Sequence, residues 1–446
     1  MKNKILTKLQ YFCIVLAFYS CNKTECNYVV IEDCIEKEPE GFMVTTKEAF
    51  LNAEVAAIYK TTNNQSAPIG ADWNNPALGA GQVQQLATPM WTTASIGNVF
   101  GIALDIKNIY LAATDVYSYD PYGSVKTFGP GGASGIYKTD VNAPTVTTTL
   151  VSTLIANTGY TVGTNKIPNS GVGVGNSLGN IAYDKGNNQL FATNLEDGRI
   201  YRIDPVTGFV KSIFDPFIKD VPLNGMVAIN ERIWGVGVLS QNGVTEIYFA
   251  REEATFSSIW SIKLDATGEF IATSAGGLTP KLFLDTALSS SIQLTKVGKK
   301  NTNNPLEKIT DIEFSCSGKM LMAERGDPHM TNVFEYSKTG TTWNVTNPFF
   351  TGQNPGTNSA GGVDYGGRQV AGKFIKDDIV WASVNWASTL NNLYLVYGYQ
   401  GISSSGNTAT TNGATDLFID ANSNTANNKG GIGDVDIFDS SCPCNK

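Results

Sequence analysis

GNIAYDKGNNQLFATNLEDGRIYRIDPVTG, residues 179–208, decides the reading of this chain. Three short runs rich in apolar, β-branched and aromatic residues, NIAYD, QLFATNL and RIYRID, alternate with KGNN, LEDG and DPVTG. Gly, Asn, Asp and Pro supply the backbone angles and local hydrogen bonds of tight turns, so the stretch predicts three antiparallel strands joined by hairpins. Its opening unit, a small or turn-forming residue ahead of an apolar, any, apolar triplet, is the signal to follow outward.

That unit recurs. FGIALD begins at Phe100, GNIAYD at Gly179, GMVAIN at Gly225, TDIEFS at Thr310, GGVDYG at Gly361 and GDVDIF at Gly433. Several copies continue alike, with NIYLAA, QLFAT, RIWGVG and KMLMA following the first four. The first triplet residues, Ile102, Ile181, Val227, Ile312, Val363 and Val435, are 79, 46, 85, 51 and 72 residues apart. The shorter steps match a four-stranded propeller blade of roughly 40–50 residues. The longer ones hold loop-like inserts such as GPGGASG, NKIPNSGVGVGNS and KVGKKNTNNP. The expected fold is all-β, a β-propeller of six blades, or of seven if one long step hides another. The last copy is cut short near Phe438, so its outer strands must come from the N-terminal part of the chain.

Composition agrees. Charged residues are 16% of the chain against about 25% in ordinary domains, and 45 glycines exceed the usual share. Apart from a brief helical pattern around residues 47–57, no long amphipathic helix is expected. The net charge is −8, and 32 basic residues are spread without a stripe, which excludes nucleic acid as a partner.

The N-terminus carries Lys2, Lys4 and Lys8, an apolar run over residues 11–19, and Ser20 before Cys21. This is the layout of an export signal, too short to span a bilayer. It resembles the bacterial lipoprotein signal, in which the cysteine after a small residue takes lipid, so Cys21 is the expected lipidation site. The domain reading is a signal peptide over residues 1–20, an acidic tether over 21–45, a propeller over 46–440 and a cysteine-containing tail over 441–446. The expected location is the outer membrane, on its surface or periplasmic face, with the lipid as the sole membrane contact. Five cysteines remain beyond Cys13 and Cys21, namely Cys26, Cys34, Cys316, Cys442 and Cys444. In an oxidising compartment a bridge from Cys26 or Cys34 to Cys442 or Cys444 would tie the ends together.

The succession FGIALD, GGASGIYKTD, the opening stretch, ITDIEFSCSGKMLMAERG, SAGGVDYG and KGGIGDVDIF resembles the propeller-type N-terminal region of large secreted bacterial surface proteins, often followed there by B-type repeat modules. The similarity spans roughly residues 97–439. It implies a propeller that is exported and extracellular, without an established catalytic role.

Candidate chemistry is sparse. Gly175, Ser177 and Gly179 match the spacing of a hydrolase nucleophile elbow, but a glycine run feeding a strand is the wrong setting. His329, the single histidine, sits in the turn-rich GDPHMTN. Asp420, Asn422 and Asn424 open like a calcium loop, which then has Thr425 and Gly431 where Gly and Glu are needed. More informative are the residues just before each triplet, Gly101, Asn180, Met226, Asp311, Gly362 and Asp434, which in a propeller approach the central channel. Asn180, Asp311 and Asp434 form a candidate metal site whose hard oxygens suit Ca2+, the sole cofactor suggested, and resemble the oxygen-rich arrangement of some metal-dependent propeller lactonases. The rival reading has the two aspartates bonding backbone N–H groups at strand starts. Trp234, Trp260 and Trp381 fall in strand-like runs, whereas Trp73 and Trp343 lie in polar stretches open to a sugar face.

Three functions follow as expectations: a non-catalytic surface binding, scaffold or adhesin-like module, a metal-dependent hydrolase or lactonase, and a carbohydrate-binding accessory protein. The partner expected for the first is a cell-envelope or extracellular protein or glycan.

Overall fold

The computed structural model describes residues 41–47, 54–61, 84–85, 91–117, 128–143, 146–154, 165–166, 173–174, 178–217, 227–253, 257–271, 292–293, 308–326, 330–340, 342–352, 356–370, 373–390, 394–407, 416–420 and 431–438. Among them are six four-stranded antiparallel sheets, the blades. From axis to rim, blade I is Ile432–Phe438, Phe42–Lys47, Ala56–Lys60 and Gln84–Gln85. Blade II is Val99–Leu104, Asn108–Ala113, Gly135–Asp140 and Thr148–Thr153. Blade III is Leu178–Asp184, Gln189–Asn194, Arg199–Ile203 and Val210–Phe214. Blade IV is Ile233–Gln241, Val244–Glu252, Ser257–Lys263 and Ile292–Gln293, and blade V is Lys308–Phe314, Met320–Arg325, Val333–Thr339 and Thr342–Phe349. Blade VI is Ser359–Val370, Lys373–Leu390, Tyr394–Ser403 and Leu417–Asp420.

Each inner strand packs on the next in chain order, and Ile432–Phe438 lies between those of blades VI and II, which closes the ring. Closure is a composite sheet: Phe42 pairs with Phe438, Met43 with Ile437 and Thr45 with Val435. The six-bladed propeller, completed by N-terminal strands, is therefore present.

Sequence and radius correlate. The inner strand of blade III is buried at six of its seven positions and the second at all six, while the rim strand Thr148–Thr153 of blade II has none buried. Strands covered on both faces need near-continuous apolar runs; rim strands do not. Apolar clusters fill the gaps between blades: Val44, Trp91 and Leu111 between I and II, Tyr110, Ile136 and Leu190 between II and III, Phe191, Phe249 and Phe270 between III and IV, and Tyr248, Ile312 and Met322 between IV and V. One larger cluster, including Trp381 and Tyr399, joins blades V, VI and I.

Three expectations need correction. Strand Phe42–Lys47 begins inside the stretch read as tether, because it supplies the partner that the last strand lacks. The helical pattern at residues 47–57 gives way to strand at its two described ends, where Thr46 pairs with Ala56 and Thr45 with Ala57. Cross-strand pairing here overrides local periodicity. The third repeat is displaced: residues 228–231 form a turn closed by Glu231 N–H on the Ala228 carbonyl, and the inner strand of blade IV is Ile233–Gln241, whose aligned triplet is Val236-Gly237-Val238.

Candidate functional site: the central channel

The two innermost strands of every blade shift register just before the triplet, between Val99 and Ile102, Leu178 and Ile181, Ile233 and Val236, Ile309 and Asp311, Ser359 and Val363, and on the closing sheet between Thr45 and Lys47. Such bulges free a residue from the ladder and re-aim it. Hydroxyls satisfy the released groups. The Asp434 N–H donates to Thr46 Oγ1 at 2.7 Å, and that hydroxyl donates to the Phe100 carbonyl of blade II at 2.8 Å. Thr193 does the same between Asn180 N–H (2.9 Å) and the Trp234 carbonyl (2.7 Å).

The re-aimed residues ring the axis as Gly101, Asn180, Gly235, Asp311, Gly362 and Asp434, polar and glycine in strict alternation. The glycines make room. A Cβ at Gly362 would stand 2.6 Å from both Cα and Oδ1 of Asp434, and one at Gly101 would collide with Asn180 Oδ1. Asn180 thus reaches past Gly235 of blade IV to blade V, donating from Nδ2 to Asp311 Oδ1 at 3.0 Å and to the Thr310 carbonyl at 2.9 Å.

Asn180, Asp311 and Asp434 therefore converge, and Met226 lies outside the described residues. Each of their oxygens, however, already accepts a hydrogen bond from the protein. Asp311 accepts Ile312 N–H and Asn180 on Oδ1, Val363 N–H of blade VI on Oδ2 at 2.8 Å, and a hydrogen bond from Asp434. Asp434 accepts Val435 N–H at 3.0 Å and, on its other oxygen, Ile102 N–H of blade II at 3.2 Å. An ionised carboxylate has about four acceptor sites, and Asp311 uses all of them. The donor set has the right chemistry for Ca2+, with the lone pairs of Asp311 spent on protein donors; among the described residues no group of three or more His, Cys, Asp or Glu is arranged to hold a metal.

Sequence reasoning missed a second layer two residues further along each strand. It holds Ala103, Ala182 and Gly237 on one half of the ring and Glu313, Asp364 and Asp436 on the other. Period-two alternation puts these middle triplet residues on the same face as the first ring, and the acidic middle of IEF, VDY and VDI was the available signal. Asp364 repeats the stitch, taking Tyr365 N–H at 2.6 Å and Ile437 N–H of blade I at 2.7 Å, and is hydrogen-bonded to Asp436. Burial pushes the Asp311 carboxyl up to about 7. Burial, then the neighbouring Asp311, holds Asp434 well above the usual carboxylate range; burial with Asp436 and Glu313 does the same to Asp364, and burial with Asp311 and Asp436 to Glu313. The pairs share protons because two like charges cannot both ionise at contact distance.

The end where the inner strands begin is stoppered. Tyr117 stacks on Phe100 with ring centres 3.8 Å apart, meets Trp234 edge-on, and donates its hydroxyl to the Gly179 carbonyl at 2.6 Å. The Arg325 guanidinium lies 5.4 Å from the Phe100 ring centre and 5.5 Å from that of Tyr117. Arg325 of blade V donates to the carbonyls of Ala360 (blade VI), Ile432 (blade I) and Tyr117, which follows blade II.

The remaining candidates fall away from the channel. Cys21, Cys26, Cys34, Cys442, Cys444, Trp73, Gly175, Ser177, His329, Asn422 and Asn424 lie outside the described residues, and Asp420 ends a rim strand. Gly179 enters the inner strand of blade III, with no helix after it. Trp343 is half-buried, edge-on to Tyr248 at 5.7 Å and beside Phe314 at 6.4 Å, with the Lys338 ammonium over its ring. It packs blade V on blade IV.

Fold and site define a six-bladed β-propeller with a composite closing blade and an acidic, stitched channel. No protein-family model matches the chain, and no curated protein matches it. Similar solved structures include a protein from Lactobacillus plantarum, at 10% identity over 90% of this chain and 100% of that one, with a TM-score of 0.41. Others are a putative 6-phosphogluconolactonase from Bacteroides fragilis (12% identity, 89% and 98% covered, TM-score 0.40) and a periplasmic gluconolactonase from Pseudomonas aeruginosa (10% identity, 90% and 85% covered, TM-score 0.41). Similarity this distant identifies no family.

Proposed function

We propose that the chain is an exported propeller, held to the outer membrane by lipid on Cys21, that serves as a non-catalytic binding or scaffold module for an envelope or extracellular protein or glycan. What carries the reading is the use of the channel carboxylates: each of Asp311, Asp364 and Asp434 spends its oxygens on backbone N–H groups of its own and the next blade. They act as ring-building groups, and the mouth above them is shut by Arg325 and Tyr117. Binding then falls to the outer faces of a rigid ring.

The competing reading, a metal-dependent lactonase, draws on the convergence of Asn180, Asp311 and Asp434. Elemental analysis of the full chain purified without chelator separates the two. The expected result is no stoichiometric calcium or magnesium in the wild type or in Asp311→Ala. One equivalent of metal, lost together with lactone hydrolysis in Asp311→Ala, would replace the scaffold reading with the enzyme.

A further inference from the structure

We propose that two copies of this chain pair through the outer edge of blade II, their rim strands Thr148–Thr153 joining antiparallel so that one sheet runs through both rings. The inference goes beyond the binding-module reading and stands apart from the lipid anchor.

A rim strand leaves one row of backbone N–H and C=O groups outside the ladder, and proteins ordinarily guard such a row with charge, proline or brevity. The other blades do so. Val210–Phe214 carries Lys211, paired with Asp204 at 3.3 Å, Thr342–Phe349 holds Pro348, and Leu417–Asp420 ends on a carboxylate. The fourth strands of blades I and IV are two residues each among the described residues. Thr148–Thr153, Thr-Thr-Leu-Val-Ser-Thr, runs six residues with none of these guards, and none of the six is buried. It is the last strand of its sheet and pairs with Gly135–Asp140 on its inner side.

Apolar side chains flank this edge. Leu150, 40% exposed, stands opposite Tyr137, which packs toward blade I. On the side of blade III, a Cβ on Gly208 would collide with the Val151 carbonyl, and Lys138 Nζ donates to the Pro205 carbonyl at 3.4 Å. The turn over residues 204–209 therefore lies against the strand, bringing Val206 (71% exposed) and Phe209 (60%) beside it. A strand added to the edge meets apolar groups on both faces, and what the edge itself recognises is extended backbone.

The symmetry of the strand selects a second copy as that partner. Opposite residues of an antiparallel pair share a face, so a regular strand meets its twin about a twofold axis only with one residue facing itself. Here a bulge at Val151 skips one position, since Ile136 pairs with Ser152 but Tyr137 with Leu150. Thr149, opposite Lys138, thereby shares a face with Ser152, and Thr148, opposite Thr139, shares the other with Thr153, opposite Gly135. About an axis between Leu150 and Val151, the twin strands match Thr148 with Thr153 and Thr149 with Ser152, hydroxyl to hydroxyl, and bring the two Leu150 side chains together at the centre. No charge enters this ladder, although each chain carries a net −8. The contact is isologous, so it closes as a dimer.

Sedimentation of the full chain in density-matched detergent, over a concentration series, measures the pairing. The expected result is a reversible dimer. Its dissociation constant should rise at least about tenfold in Leu150→Lys, which sets two ammonium groups at the axis. It should stay unchanged in Val345→Lys on the rim of blade V, where Val345 is 56% exposed. Cross-linking reads the register: on oxidation Thr149→Cys/Ser152→Cys must give a covalent dimer above the wild-type background, and neither single variant should. Three residues apart along one strand, the two thiols are too distant to bridge within a chain and must reach the twin. If Leu150→Lys fails to fold, the cysteine pair decides alone. A wild type that stays monomeric, a dimer indifferent to Leu150→Lys, or absence of the cross-link overturns the proposal, as does an edge that captures another protein's strand and never its own.

Discussion

Asp311 illustrates how a carboxylate can be structural in a position that looks catalytic. Its two oxygens gather N–H groups from two blades, an amide from a third and a proton from Asp434. Asp311→Ala leaves the Val363 N–H and the Asn180 amide buried without this acceptor, at about 1–3 kcal/mol for each. The variant is expected to lose about 2–5 kcal/mol in chemical denaturation, with Asp311→Asn, which keeps one carbonyl oxygen, losing less. Equal losses would mean that the acceptor role is not what matters. Residue-level chemistry was partly legible: the spacing picked out Asn180, Asp311 and Asp434, but a sequence cannot show that neighbouring backbone claims their lone pairs.

At the level of the strand, glycine and polar residue work as a unit. Gly362→Ala puts a methyl 2.6 Å from the backbone of Asp434, which no rotamer change relieves. Loss of several kcal/mol is expected, in the range of overpacked cores. Gly243→Ala at a hairpin tip meets no atom within 4 Å and bears only the strain of its φ of +74°, so its cost should be nearer 1 kcal/mol. Thermal melts of the two variants check the contrast. The same alternation explains the misplaced third copy: blade IV offers Gly235 and Gly237, with no polar marker, while GMVAIN ahead of it imitates the pattern in a turn. The five other copies, and the need for N-terminal strands to complete the last, were readable because apolar alternation follows burial directly.

For the whole ring, the channel stores protons. Free aspartate titrates near 3.9, and Asp311 in the fold near 7, with Asp434, Asp364 and Glu313 also raised. The folded state therefore binds protons that the unfolded chain has released. That contribution is complete below about pH 4 and is lost as pH rises toward 7 and beyond. The melting temperature should accordingly fall from pH 4 to pH 8, and Asp434→Asn, which removes one of the paired charges, should flatten the slope. A melting temperature that rises across this window in the wild type would contradict a proton-sharing channel. Asp204 and Asp265, lowered by backbone and threonine hydrogen bonds, act in the opposite sense, but, Asp265 being exposed and Asp204 partly so, they weigh little.

The composite closing blade also has a mechanical meaning. A load applied at Gly41 along the ring axis pulls Phe42–Lys47 lengthwise between Ile432–Phe438 on one side and Ala56–Lys60 on the other. Ladder hydrogen bonds lie across the strands, so such a pull shears both rows at once instead of unzipping one bond at a time. A ring pulled at its first strand is thereby built to stay shut under tension.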